Sequence, residues 1–202
     1  MTQSLLKNVR LIFFWGMVFA FIFAAASLFF PWQYSAQSEV LIISRDSLNT
    51  DPYTQIKLSE RIGENLTQII KTSDFYNKVM EAPLANFNKT DWQALNERQQ
   101  RKKWQKDARG EMVYGTSMMK INAYGSTKED ASALAGAVTQ VLVTRGWEYI
   151  GNDVTIKIVS APLASQFPSR PSFALNAIIG FATGIFICGF WVVKYKRAKW
   201  VD

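Results

Sequence analysis

The side chains best suited to binding chemistry form a basic cluster between residues 98 and 109. Its members are Arg98, Arg101, Lys102, Lys103, Lys106 and Arg109. Closely spaced cations favour an anionic partner, such as an acidic polymer, lipid head groups or a neighbouring subunit. A run of charges is also typical of a solvated helix face, and the sequence leaves both interpretations open.

Side chains that could support catalysis are scarce. The chain has no histidine, and its single cysteine, Cys188, lies in an apolar run. Because histidine is the commonest general base and a frequent zinc ligand, only scattered carboxylates remain for acid–base work. No Gly-rich phosphate loop and no serine nucleophile motif is present. We therefore predict that the protein is not an enzyme and has no catalytic residues, no metal site and no cofactor.

Two uncharged apolar runs, 11–30 and 173–193, determine where these residues can lie. A helix of 20 residues is about 30 Å long, which matches the hydrocarbon core of a bilayer. The sequence therefore predicts two transmembrane helices. The polar segment between them, residues 31–172, is long enough for one compact domain.

The flanking charges predict the orientation in the membrane. Residues 1–10 contain Lys7 and Arg10 without an acid, and residues 194–202 contain four basic residues against Asp202. Because basic flanks stay in the cytoplasm, we expect both termini there and residues 31–172 to be exported. The first run also resembles a cleaved signal peptide at 24–26, but it continues to Phe30 and then Trp32. Without the two tails, 17 basic and 15 acidic residues remain, a balance that does not suggest a nucleic-acid partner.

Residue patterns in the exported segment predict alternating strands and helices. Strands are expected at 38–44, near 119–123 and at 154–159, and the first should be covered on both faces. Helices are expected at 53–71, 74–80, 91–109 and from 128 to about 148. A strand, a helix and a strand in succession favour a crossover connection. The fold class is therefore α+β, with a small mixed sheet packed with helices, between two transmembrane α-helices.

A Pro-rich junction, residues 161–172, leads from the last strand to the second apolar run. It contains Pro162, Pro168, Ser169 and Pro171. Three prolines in ten residues should break a strand or helix and favour a stiff, extended path. The junction is either a semi-rigid strut or an ordinary linker.

Small residues recur every four positions in both apolar runs. Gly180 and Gly184 lie in the second, and Gly16, Ala20 and Ala24 in the first. This spacing lets helix backbones approach closely, so we expect helix packing within or between subunits.

Taken together, these features resemble the chain length determinant family, the Wzz-like polysaccharide co-polymerases. The matching features are the strand 154–159, the Pro-rich junction, and Gly180 and Gly184 in the second run. No nucleotide-binding motif follows that run, so the chain is similar to a short variant without a kinase domain.

The resemblance implies a non-enzymatic protein of the bacterial inner membrane with a periplasmic or extracellular domain. It would regulate the chain length of a surface polysaccharide, such as O-antigen of lipopolysaccharide, capsule or exopolysaccharide, as a homo-oligomeric scaffold. Its partners would be the polysaccharide polymerase, the growing polysaccharide or both, and in some family members a separate cytoplasmic tyrosine kinase. The alternative function is a membrane adaptor that activates or recruits such a kinase or an export machinery.

Overall fold

The computed structural model describes residues 8–44, 51–83, 86–151 and 154–198. It divides into two units: one formed by Met1–Trp32 with Arg170–Asp202, and one formed by Gln33–Ser169. The charged tail residues Lys7, Lys199 and Asp202 lie outside the described residues.

The first unit consists of two long apolar helices. Helix α1 is Val9–Ala26, followed by a 3-10 turn at Ser27–Phe29, and α8 is Phe173–Ala198. By length and composition, Val9–Phe29 and Phe173–Lys194 could each cross a membrane. The two predicted apolar helices are therefore present, and α8 continues five residues beyond the predicted end at Val193.

The second unit contains a four-stranded sheet in the order β2-β3-β1-β4. The strands are β1, Tyr34–Ser44; β2, Ala108–Met112; β3, Met118–Gly125; and β4, Val154–Ala164. All three neighbouring pairs are antiparallel, so the prediction of a mixed sheet is wrong. The crossover from β3 to β4 does leave these strands parallel, but β1 lies between them and no parallel pair forms.

Six helices among the described residues complete this unit, and the α+β class is confirmed. They are α2, Pro52–Ile69; α3, Ser73–Glu81; α4, Thr90–Gln93; α5, Glu97–Asp107; α6, Lys128–Arg145; and α7, Trp147–Ile150. Gly63 of α2 lies against Ile42 and Met112, and Thr139 of α6 contacts Ser38. The helices therefore cover one face of the sheet.

Strand β1 is covered on one face only, contrary to the prediction. Every second residue from Ala36 to Ser44 is buried, whereas Leu41 and Ile43 are half-buried and Gln37 is exposed. The unbroken apolar run at 40–43 concealed this alternation, because two of its side chains belong to the less covered face.

The predicted polar helix at 91–109 is two helices followed by a strand. Asn96 begins α5 with a capping box, in which its side chain accepts from the Gln99 amide and the Gln99 side chain accepts from the Asn96 amide. Helix α5 ends at Asp107, so Arg109 lies on β2. Small residues and alternating charges at 108–111 gave this strand little hydrophobic signal.

Strand β4 continues through Pro162 to Ala164, beyond the predicted end of the strand. Proline is tolerated because β4 is an edge strand that pairs only with β1, and the register shifts between Gln37 and Glu39. Edge strands and bulges are the places where proline costs a sheet no ladder hydrogen bond.

A buried hydroxyl pair attaches α6 to β1 and gives a testable prediction. Thr139 Oγ1 donates to the Ala135 carbonyl at 2.7 Å, so Ser38 must donate to Thr139 Oγ1, 2.6 Å away. We expect Thr139→Val to lower the free energy of unfolding by about 1–3 kcal/mol, because Ser38 is left buried without its acceptor. Adding Ser38→Ala should restore part of the loss. Chemical unfolding followed by circular dichroism measures both variants, and equal losses would show that the two hydroxyls are not coupled.

Candidate functional site

The basic cluster is divided between α5 and β2. Arg98, Lys102 and Lys106 lie at four-residue intervals on α5, so they share one face of the helix, and all three are exposed. We call these three residues the basic ridge. Arg109 is exposed on β2.

The two remaining members of the cluster already have partners. Arg101 forms an ion pair with Glu97 at 2.6 Å, and the Lys103 ammonium lies 4.4 Å from the centroid of the Trp92 ring. Among the described residues, Arg98 and Lys102 form no ion pair. Arg98 and Lys102 are therefore the members of the cluster best placed to contact another molecule.

An aromatic cluster fixes α5 to the domain. The ring of Trp104 lies 6.0 Å from that of Trp92 and 5.2 Å from that of Tyr76. Trp104 is 1% exposed, and its indole N–H donates to the Ile70 carbonyl at 2.6 Å. Burial raises the pKa of the Tyr76 hydroxyl, which therefore stays protonated at neutral pH. This apolar anchor explains how a helix that is polar on most of its surface holds the ridge in place.

A cleft of about 230 Å³ lies beside this aromatic cluster, between α3 and α5. Several of its polar groups are already bonded within the protein. Gln100, for example, donates to the carbonyls of Trp92 and Leu95, both at 3.0 Å. The cleft adds Lys71 to the basic surroundings of α5, and Arg101 in its wall is the residue paired with Glu97.

The Pro-rich junction is fixed to the beginning of β1 by three serines, which we call the serine clasp: Ser35, Ser165 and Ser169. The Ser165 amide donates to the Ser35 carbonyl at 2.7 Å, and the Ser35 amide donates to Ser165 Oγ at 3.2 Å. Ser35 Oγ and Ser169 Oγ are 2.6 Å apart. The Ser169 amide also donates to the Gln33 carbonyl at 2.8 Å. Within this unit, the junction up to Ser169 is therefore attached to β1; Pro171 belongs to the other unit.

The glycine stripe lies where α1 and α8 meet within one chain. A Cβ atom added at Gly184 would lie 2.8 Å from the Trp15 carbonyl oxygen and 2.9 Å from Gly16 Cα. One added at Gly180 would lie 2.6 Å from the Phe19 carbonyl oxygen. The two backbones are therefore in direct contact at these positions.

The other small residues of α1, Ala20 and Ala24, are half-buried. Beyond them, the Asn176 amide donates to Ser27 Oγ at 2.6 Å, and Ser27 donates to the Phe23 carbonyl at 3.1 Å. A buried polar contact of this kind adds directional specificity to an apolar helix pair.

Sequence reasoning missed two features of this region: the aromatic anchor of α5 and the serine clasp. Trp92 and Trp104 carried a signal, because two tryptophans in an otherwise polar segment need burial. Ser165 and Ser169, four residues apart beside prolines, carried a weaker one, since their partner Ser35 is distant in sequence. In the part of the chain that the structure describes, no group of three His, Cys, Asp or Glu side chains could hold a metal ion.

Comparison with protein-family models finds no match, and comparison with curated proteins finds none either.

Proposed function

We propose that this chain is a non-enzymatic, two-pass membrane scaffold that regulates the chain length of a surface polysaccharide. The observation that carries the proposal is the connection between domain and apolar helices. Strands β1 and β4 are neighbours in the sheet, and the end of β1 that follows α1 pairs with the end of β4 that precedes α8. The serine clasp closes that same end. The covalent connection from the domain to α8 therefore runs through this closed junction.

Exposure of aromatic side chains supports placing α1 and α8 in a membrane. Phe21 and Phe186 are each 77% exposed, and Phe190 is 72% exposed. Leaving a phenylalanine in water instead of an apolar medium costs roughly 1.5–3 kcal/mol, and lipid removes this cost. The basic flanks support the orientation that we propose, with both termini in the cytoplasm and the sheet domain outside.

A pair of reporter fusions tests this orientation. A reporter after Asp202 should be active only in the cytoplasm. A second reporter inserted at Gly115 should be active only outside, because this residue lies in the turn between β2 and β3, where a side chain would meet no atom within 4 Å. An exported reporter after Asp202 would contradict the proposal.

The basic ridge is the surface we assign to an anionic partner, either the growing polysaccharide or an acidic face of the polymerase. We expect Arg98→Glu with Lys102→Glu to alter the polysaccharide length distribution, because reversed charge repels that partner. Thermal stability should change little, since exposed charges contribute about 0–1 kcal/mol each.

The matched control for this prediction is Arg61→Glu with Lys157→Glu, two exposed basic residues on α2 and β4. It makes the same change in net charge at another surface. If gels of surface polysaccharide show the same pattern for both double variants, the ridge has no specific role.

The function itself is tested by a gel of surface polysaccharide from cells with and without the gene. We expect a preferred chain length with the gene and a broad or shifted distribution without it. The scaffold should also be a homo-oligomer, which light scattering in mild detergent measures. An unchanged polysaccharide pattern would overturn the proposal.

A membrane adaptor is the second candidate, and the length of α8 favours it. The helix continues to Ala198, past the apolar segment that ends near Lys194, so its last turn carries a basic stretch of sequence. Truncation after Val193 separates the two functions. An adaptor for a cytoplasmic kinase or export machinery should lose its function completely, whereas a chain-length scaffold should keep a preferred polysaccharide length.

A further inference from the structure

Two large apolar side chains are exposed at the end of β4. Leu163, the penultimate residue of the strand, and Phe167, in the following turn, are each 79% exposed. A single exposed apolar residue needs no explanation in a protein of this size. Two of them four residues apart, in the segment that joins the domain to an apolar helix, do call for one.

Hydrogen bonds fix the turn that carries Phe167 on both sides of this residue. On one side, the Ser165 amide donates to the Ser35 carbonyl at 2.7 Å, and on the other the Ser169 amide donates to the Gln33 carbonyl at 2.8 Å. The Ser165 hydroxyl donates to the carbonyl of Phe167 itself at 2.9 Å. The backbone therefore holds the ring outward.

The location of this turn favours a bilayer as the partner. Five residues separate Phe167 from Phe173, the first residue of α8, so their Cα atoms lie at most about 21 Å apart. Tyr114, by contrast, follows β2 at the other end of the sheet, and the eleven residues of β1 span about 35 Å. The serine clasp lies at the end of the sheet where β1 begins and β4 ends. Short connections join β1 to α1 and β4 to α8 at this end, so both keep it close to an apolar helix.

We infer that Leu163 and Phe167 insert into the boundary between lipid head groups and acyl chains and so seat the domain on the membrane surface. This inference rests on the proposed two-pass arrangement. Interfacial helices bury their apolar face about 5–10 Å into this boundary, and we expect a similar depth for these two side chains. The partner is the bilayer itself, and the serine clasp is what presents the two side chains to it.

Spin labels on the full-length protein in phospholipid nanodiscs test the inference. In a Cys188→Ala background, Phe167→Cys, Tyr114→Cys and Ile187→Cys each introduce one labelling site. The label at 187 lies on an exposed position of α8 and reports whether the helix spans, and the label at 114 reports the far end of the sheet. We expect 187 to collide with oxygen, 114 with a water-soluble nickel chelate, and 167 to lie at the interface.

The outcomes distinguish this inference from the proposed function. If the label at 167 lies in water while the label at 187 lies in hydrocarbon, the membrane contact of Phe167 is overturned and the transmembrane arrangement stands. An aqueous label at 187 would overturn the transmembrane arrangement and the inference with it.

A second comparison labels the neighbouring residue 166, so that the reference chain keeps its native Phe167. A label at Gln166→Cys should lie at the interface when residues 163 and 167 are native. When Leu163→Ser and Phe167→Ser are added, the accessibility of this label to the nickel chelate should rise several-fold. Circular dichroism should show the same unfolding temperature for both, since the two side chains are largely exposed. If the two serine substitutions do not change the depth of the label at 166, Leu163 and Phe167 are not the side chains that hold the domain on the membrane.

Discussion

Leucine at both Gly180 and Gly184 is expected to separate α1 from α8. A Cβ atom at either position would lie within 2.6–2.8 Å of a backbone oxygen of α1, and neither backbone can yield without moving a whole helix. Inserting atoms into a close-packed contact costs about 1–3 kcal/mol per site, and more where the obstacle is backbone. Energy transfer between fluorophores at exposed positions of the two helices, 21 and 186, measures the separation directly.

Gly189→Leu is the matched control, because it makes the same substitution in the same helix. A Cβ atom there would meet nothing within 4 Å. We expect Gly189→Leu to keep native energy transfer and the double variant to lose most of it. Loss in both variants would mean that leucine disturbs α8 irrespective of the contact, and loss in neither would mean that the glycines do not set the helix separation.

The sequence predicted best those elements whose signal is local. The two apolar runs have a continuous apolar pattern and α6 has a periodic one. The N-cap of α6 is also a local signal, because the Thr127 side chain accepts a hydrogen bond from the Asp130 amide. The burial of Trp92 and Trp104 was not predicted, although the size of two tryptophans in a polar segment is a local signal for it.

Features that depend on contacts distant in sequence were not predictable. The order of the strands follows from β1 pairing on both sides, and nothing in the residues of β1 specifies two neighbours. Strand β2 was missed because Gly110 leaves room for Met119, an arrangement that only the folded sheet explains. The predicted strand ends at Val159, before Pro162. A strand tolerates proline only at an edge or a bulge, and the sequence does not show that β4 is an edge strand.

The candidate site was likewise predictable from the sequence only in part. The clustering of basic residues was evident from the sequence, but which of them face solvent was not. Arg101 is paired with Glu97 and Lys103 lies over the Trp92 ring, and this separates them from Arg98 and Lys102. The family resemblance stays a prediction that rests on the sequence features alone.

The second large effect is expected at the clasp, where Ser165→Ala with Ser169→Ala should release the junction. These substitutions remove the hydroxyl contacts to Ser35, each worth about 0.5–1.5 kcal/mol, while the backbone hydrogen bonds to Ser35 and Gln33 remain possible. The core lies elsewhere and should stay folded. Hydrogen exchange across residues 165–169 should therefore accelerate without a comparable loss of global stability.

If the closed junction couples the domain to the second helix, this variant should insert normally yet lose its preferred polysaccharide length. Ser160→Ala is the control, because Ser160 lies on β4 just before the clasp and its side chain makes a 3.3 Å contact with Glu39 instead of Ser35. A companion variant, Pro168→Ala with Pro171→Ala, frees the backbone while keeping the serines. Since the clasp still holds residues 165 and 169 when Pro168 between them and Pro171 after them are replaced, we expect the proline variant to retain more length control than the serine variant. The reverse order would mean that stiffness of the prolines, and not the hydrogen-bonded closure, transmits position from the domain to α8. Normal polysaccharide length in both variants, with a demonstrably mobile junction, would reduce this segment to a linker and remove the structural basis of the proposed function.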